Sequence, residues 1–199
     1  MKKFILVTVL SLGFLVSGCG PQAFVEGEYD SDVNSTNLLN DRWSESDMQN
    51  VVRDLVAGMV NHPVISSNRT RPTVIVTRLQ NKTMEQIDTQ SVMDMVRVEL
   101  SRGGRVRFVD KEAREDVADE INYQQSGTTS AATRKRMGQQ IGADFIVNGR
   151  LDSIVQQVGR RKTVYYKVTL NLTNLQTNII EWSDYKQIRK KFKKRRVGL

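Results

Sequence analysis

The spacing of the β-branched apolar runs constrains this chain more than any other feature. Runs at residues 73–79 (with Val74, Ile75 and Val76), 106–109 and 145–151 are separated by stretches long enough to hold helices. The runs at 145–151, 164–172 and 179–182 are joined only by short turns, at 159–162 and 174–178. Parallel neighbours need a long crossover, which is right-handed, whereas a short turn permits only an antiparallel hairpin. The expectation is a single small α/β domain: a mixed four- to five-stranded sheet flanked by helices on both faces.

The helical stretches carry their own signals. Ser46 and Gln49 stand at capping-box spacing, and Met48, Val52, Leu55 and Met59 share a face, which predicts a helix ending near Asn61 and stopped by Pro63. Asp88 can cap a second helix with Val92, Met95, Val96 and Leu100 on one side, closed by Gly103 and Gly104. Residues 111–123 and 130–141 are expected to be helical, with Gly142 just past the second.

The amino terminus has a different character. Lys2 and Lys3, an apolar run over 4–16, and Ser17 and Gly18 before Cys19 have the layout of a secretory signal peptide. The run is too short to span a bilayer, which takes roughly 20 residues. The stretch Val16, Ser17, Gly18, Cys19 resembles the lipobox of bacterial lipoproteins, and that resemblance implies cleavage before Cys19 and acylation of it. The alternative is a secreted protein with a stray thiol, and an unpaired cysteine is a liability in an oxidising compartment. Gly20 stands where the family's inner-membrane retention signal places aspartate, so the outer membrane, facing the periplasm, is the expected address. The expected organisation is a signal peptide at 1–18, lipidated Cys19 with a tether to residue 40, a globular domain at 41–185 and a basic tail at 186–199. As a flexible coil the tether would average roughly 25 Å end to end, with a limit of about 70 Å.

The net charge of +8 resides in that tail. Eight of the 30 basic residues lie from Lys186 onward, where no acidic residue occurs, so the rest of the chain carries 22 of each sign. The signal peptide argues against nucleic acid as the partner and for an acidic protein surface, peptidoglycan or another anionic envelope polymer. The candidate partner-binding residues are Arg189, Lys190, Lys191, Phe192, Lys193, Lys194, Arg195 and Arg196. In extended form Ile188, Lys190 and Phe192 continue the phase of Trp182; in helical form Ile188 and Phe192 meet at i, i+4. A solvated tail that only aids solubility is the bland alternative.

Chemistry-bearing patterns are sparse. His62 is the only histidine and Cys19 the only cysteine, so no metal cluster is expected, and no Gly-rich phosphate loop or Gly-x-Ser-x-Gly elbow occurs. The carboxylates Asp110, Glu112, Glu115, Asp116, Asp119 and Glu120 fall mostly on one helix at spacings of a solvated face. The reading is a binding module without catalytic residues, cofactor or metal.

Residues 73–182 resemble the LpoB family of penicillin-binding protein activators, related to the TolB amino-terminal fold. The resemblance rests on the strand Val74, Ile75, Val76 followed by Asn81 and Thr83, on Phe108 and Val109, and on Gly142, Ala143, Asp144 and Phe145. It rests also on the hairpin from Thr169 and Leu170 through Asn174, Gln176 and Thr177 to Ile180, Glu181, Trp182 and Ser183. It implies an outer-membrane lipoprotein that binds a class A penicillin-binding protein and stimulates peptidoglycan synthesis. A second reading is a structural or assembly lipoprotein of a secretion or surface-fibre system, related to the curli pore protein. Trp182 is expected as a core or hairpin anchor, Gly142 as a helix stop and Asn81 as a turn residue.

Overall fold

The structure is a computed structural model that describes residues 40–194. Helix α1 (Glu45–Asn61) opens with a reciprocal box: Ser44 Oγ accepts from Asp47 N at 3.4 Å and Asp47 Oδ2 accepts from Ser44 N at 2.9 Å. The cap thus lies two residues before the expected Ser46–Gln49 pair. Pro63 ends α1 and then starts the short helix α2 (Pro63–Ser66), because the first helical position needs no N–H. His62 Nδ1 accepts from Val64 N at 3.4 Å, a capping role.

Strand β1 (Thr73–Lys82) leads to α3 (Thr89–Arg102), capped as expected by Asp88. The short β2 (Arg107–Phe108) follows, then α4 (Arg114–Tyr123). Asp110 Oδ1 accepts from Glu112 N and Ala113 N at 3.0 and 3.2 Å, and this turn delays α4 beyond its expected start. Residues 130–141 are not helical, contrary to expectation, and Gly142 stops no helix. Met137 and Ile141 are exposed and Gly138 has φ +79°, so the segment buries no apolar face that could stabilise a short helix.

Three 14-residue strands complete the domain: β3 (Phe145–Val158), β4 (Arg161–Asn174) and β5 (Ile180–Lys193). The sheet order is β2-β1-β3-β4-β5, with β2, β1 and β3 parallel and the last two pairings antiparallel. The mixed five-stranded α/β sheet is therefore as expected, but the strands are longer. Residues 186–193 are not a tail. They pair with β4 from Lys186↔Val168 to Lys193↔Arg161, so the domain boundary at 185 is corrected to at least Lys193. Strand formation continues because Ile188, Lys190 and Phe192 keep the inward phase of Trp182.

The main core lies between the sheet and helices α1 and α3. It contains Val51, Leu55 and Met59 of α1, Val92, Val96 and Leu100 of α3, and Val164, Tyr166, Val168, Leu170 and Leu172 of β4. Gly149 faces this core, where an added Cβ would lie 2.3 Å from Thr169 O. The path from β1 through α3 to β2 and the path back through α4 to β3 run in opposite directions across the sheet. Right-handed crossovers therefore put α3 and α4 on opposite faces. Ile75 and Ile121 are buried outside the main core, on the α4 side. No helix follows β3, so the α4-side face of the β3–β4–β5 sheet stays open.

Candidate functional site

Alternation along β5 sorts the candidate residues onto two faces. Arg189, Lys191 and Lys193 lie on the open face, whereas Lys190 and Phe192 lie on the face covered by α1. Lys194 follows the strand, its N donating to Arg160 O at 2.9 Å. Arg195 and Arg196, like Cys19, lie outside the described residues.

Lys190 is only 4% exposed and forms an ion pair with Asp47 of α1. Its Nζ also donates to Arg42 O at 2.7 Å and lies 5.9 Å from the Tyr166 ring centroid. Lys190 is thus a structural residue, and its assignment to partner binding is corrected. Beside it the buried Tyr166 hydroxyl donates to Glu85, whose other oxygen accepts from Trp43 N at 3.0 Å, and the Trp43 and Tyr166 rings meet edge to face at 5.4 Å. Burial, with the Glu85 carboxylate next, pushes the Tyr166 phenol well above its ordinary value. Asp41 accepts from Lys162 Nζ at 2.5 Å, and this contact holds its carboxyl below the usual range. These bonds tie residues 41–47 and the loop after β1 to the β4–β5 hairpin. Sequence reasoning missed Asp41, Asp47, Glu85 and Tyr166, since nothing local marks a carboxylate whose partner is 81 or more residues away. The expected turn role of Asn81 is met: its Oδ1 accepts from Thr83 N at 2.9 Å and its Nδ2 donates to Glu85 O at 2.8 Å.

On the open face, three rows cross the outer strands: Ile154–Tyr165–Arg189, Gln156–Thr163–Lys191 and Val158–Arg161–Lys193. Arg189 stacks over the Tyr165 ring at 6.0 Å. Among the described residues, Arg161, Arg189, Lys191, Lys193 and Lys194 enter no ion pair. The sequence explains why: residues 153–180 contain no carboxylate, and Glu181 and Asp184 lie at the other end of β5. Asn40 and Asp41 line a groove with Arg160, Arg161, Phe192 and Lys193, so the chain enters the domain at this cationic pole.

The opposite pole, about 45 Å away along the 14-residue strands, exposes apolar side chains among polar ones, Gln176, Thr177 and Asn178. Leu175, Ile179 and Ile180 of the β4–β5 turn are exposed there. Leu175 N donates to Asp144 O at 2.9 Å, and Asp144 is in turn tied to β1, its Oδ2 accepting from Thr73 N at 2.7 Å.

A sheet with one open face, cationic at one pole and with an exposed apolar cluster at the other, is suited to bind surfaces, and no group of metal-ligating side chains occurs among the described residues. The family model described as peptidoglycan-synthase activator LpoB matches residues 47–188, and the chain belongs to this family, whose members activate a synthase rather than catalyse. The match runs into β5, past the expected boundary at 185. Among solved structures, the LpoB C-terminal domain from Salmonella enterica is 16% identical at a TM-score of 0.45, the alignment covering 72% of this chain and 99% of that one. The corresponding Escherichia coli domain is 14% identical at 0.44, covering 71% and 98%. Lipoprotein GNA1162 from Neisseria meningitidis is 15% identical at 0.39, covering 60% and 83%. No curated relative matches the sequence.

Proposed function

We propose that this chain is an outer-membrane lipoprotein, carried on acylated Cys19 and facing the periplasm, that binds a class A penicillin-binding protein and stimulates its synthesis of peptidoglycan. The observation that carries this reading is family membership across residues 47–188. Activation without catalysis requires that the lipoprotein bind the active state of the synthase more tightly than the resting state. The chain enters the domain at the cationic pole, so the apolar pole with Leu175, Ile179 and Ile180 is the one a tethered domain presents to a distant synthase. Exposed apolar side chains in a polar rim are what partner interfaces bury.

The test is turnover of lipid-linked precursor by class A synthases of the same organism in detergent solution, with and without residues 20–199. Stimulated polymerisation or crosslinking is expected, and Ile179→Asp with Ile180→Asp should reduce it about tenfold or more. Absence of binding and of any rate change for every such synthase would favour the assembly-lipoprotein reading.

A further inference from the structure

The cationic pole combines exposed cations, a projecting apolar tip and the point where the chain enters the domain. Arg160, Arg161, Lys191, Lys193 and Lys194 are exposed around the end of the β3–β4 hairpin and the end of β5, with none in an ion pair among the described residues. Val158, at the hairpin tip, is 81% exposed, and Ile154 is exposed one row behind it. Gly159, with φ +56°, makes the tight turn that projects this tip. The chain also enters the domain here, at Asn40 and Asp41.

We propose that this pole docks on the anionic lipid surface of the membrane that holds the anchor. The inference rests on the reading of Cys19 as the lipidated residue. Twenty residues separate Cys19 from Asn40, a connection of at most about 70 Å. The chain enters the domain at Asn40, at the same pole as these exposed cations. Cations beside exposed aliphatic side chains suit a bilayer interface: the aliphatic groups enter the headgroup boundary while long Lys and Arg side chains reach the phosphates. An acidic protein surface would satisfy the cations too, but it would not account for a solvent-projecting Val158 next to the point where the tether leaves. Docking here leaves the apolar pole directed away from the membrane.

The experiment is co-sedimentation of residues 20–199, which keep the whole described domain and lack the anchor, with phosphatidylcholine vesicles and with vesicles containing about one-third phosphatidylglycerol. Binding to the anionic vesicles alone is expected, falling steeply as salt rises above about 0.15 M. Lys191→Glu with Lys193→Glu should lower partitioning by roughly tenfold or more, and Val158→Asp should lower it several-fold with circular dichroism unchanged. No binding to anionic vesicles, equal binding to neutral ones, or binding to peptidoglycan sacculi but not to vesicles would overturn the proposal. The double charge reversal should leave stimulation of the detergent-solubilised synthase intact. Lost vesicle binding with intact stimulation therefore supports the docking site, while vesicle binding without stimulation overturns only the proposed function.

Discussion

The two faces of the β4–β5 hairpin carry the same chemistry to opposite ends. Lys190 and Tyr166 point under α1, where a carboxylate meets each of them; Lys191 and Tyr165 point to the open side, where none does. The difference is one residue of phase. A buried cation that has left water is favourable only beside its counter-charge, whereas an exposed one keeps its hydration and remains available to a partner. The covered face thus fixes where the chain enters the domain, and the open face carries the charge that can act outward.

The largest effect expected from this contrast is on stability. Lys190→Met strands Asp47 without its counter-charge and should destabilise by about 3–5 kcal/mol, while Lys191→Met should stay within about 0.5 kcal/mol. Urea unfolding of the pair measures this, and equal losses would break the comparison. Adding Asp47→Asn to Lys190→Met should recover much of the loss, because the uncompensated charge is then gone while the side-chain oxygen still accepts from Ser44 N.

The tyrosines give a smaller contrast. Tyr166→Phe removes a hydrogen bond to a carboxylate and should cost about 1.5–3 kcal/mol, whereas Tyr165→Phe keeps the ring under Arg189 and should be nearly neutral. The Tyr166 phenol, raised from 10.0, holds its proton more tightly in the folded state than in the unfolded state. Its contribution is therefore complete below pH 10 and declines above it, where only the unfolded chain has ionised. Thermal midpoints of wild type should fall above pH 10 more steeply than those of Tyr166→Phe, and parallel profiles would refute this account.

The smallest effect belongs to Asp41, whose carboxyl is lowered from 3.8 chiefly by its hydrogen bond from Lys162. A lowered carboxyl contributes above its unfolded value, and that contribution is lost as pH falls through the folded one. The Asp41 side chain is 44% exposed, so the acid-side loss should be slight and should shrink with added salt. A Lys162→Met variant with an unchanged profile below pH 4 would place the bond in the noise.

Much of the fold was legible because its signals are local. β-branched runs, turn residues and connection lengths specify mixed strand pairing, and Asp88 caps α3 through its own neighbours, Gln90 and Ser91. Helix formation at 130–141 failed as an expectation because composition alone does not say whether a face will be buried. The strands ran longer than their apolar cores because ladder pairing continues through polar residues once a neighbouring strand lies alongside, as Lys186 to Lys193 show.

By itself the sequence determined the order of the strands, the phase of the outer ones and the concentration of cations after Lys186. It also determined that Ile188, Lys190 and Phe192 would share a side if that segment were extended. Only the tertiary structure decided that the segment is a strand, and which of its two sides is covered. Alternation relates residues of one strand to each other, but the covering helix and its Asp47 come from far away in the chain. Their approach turned one lysine of the run into a buried tie and left its neighbours on the surface.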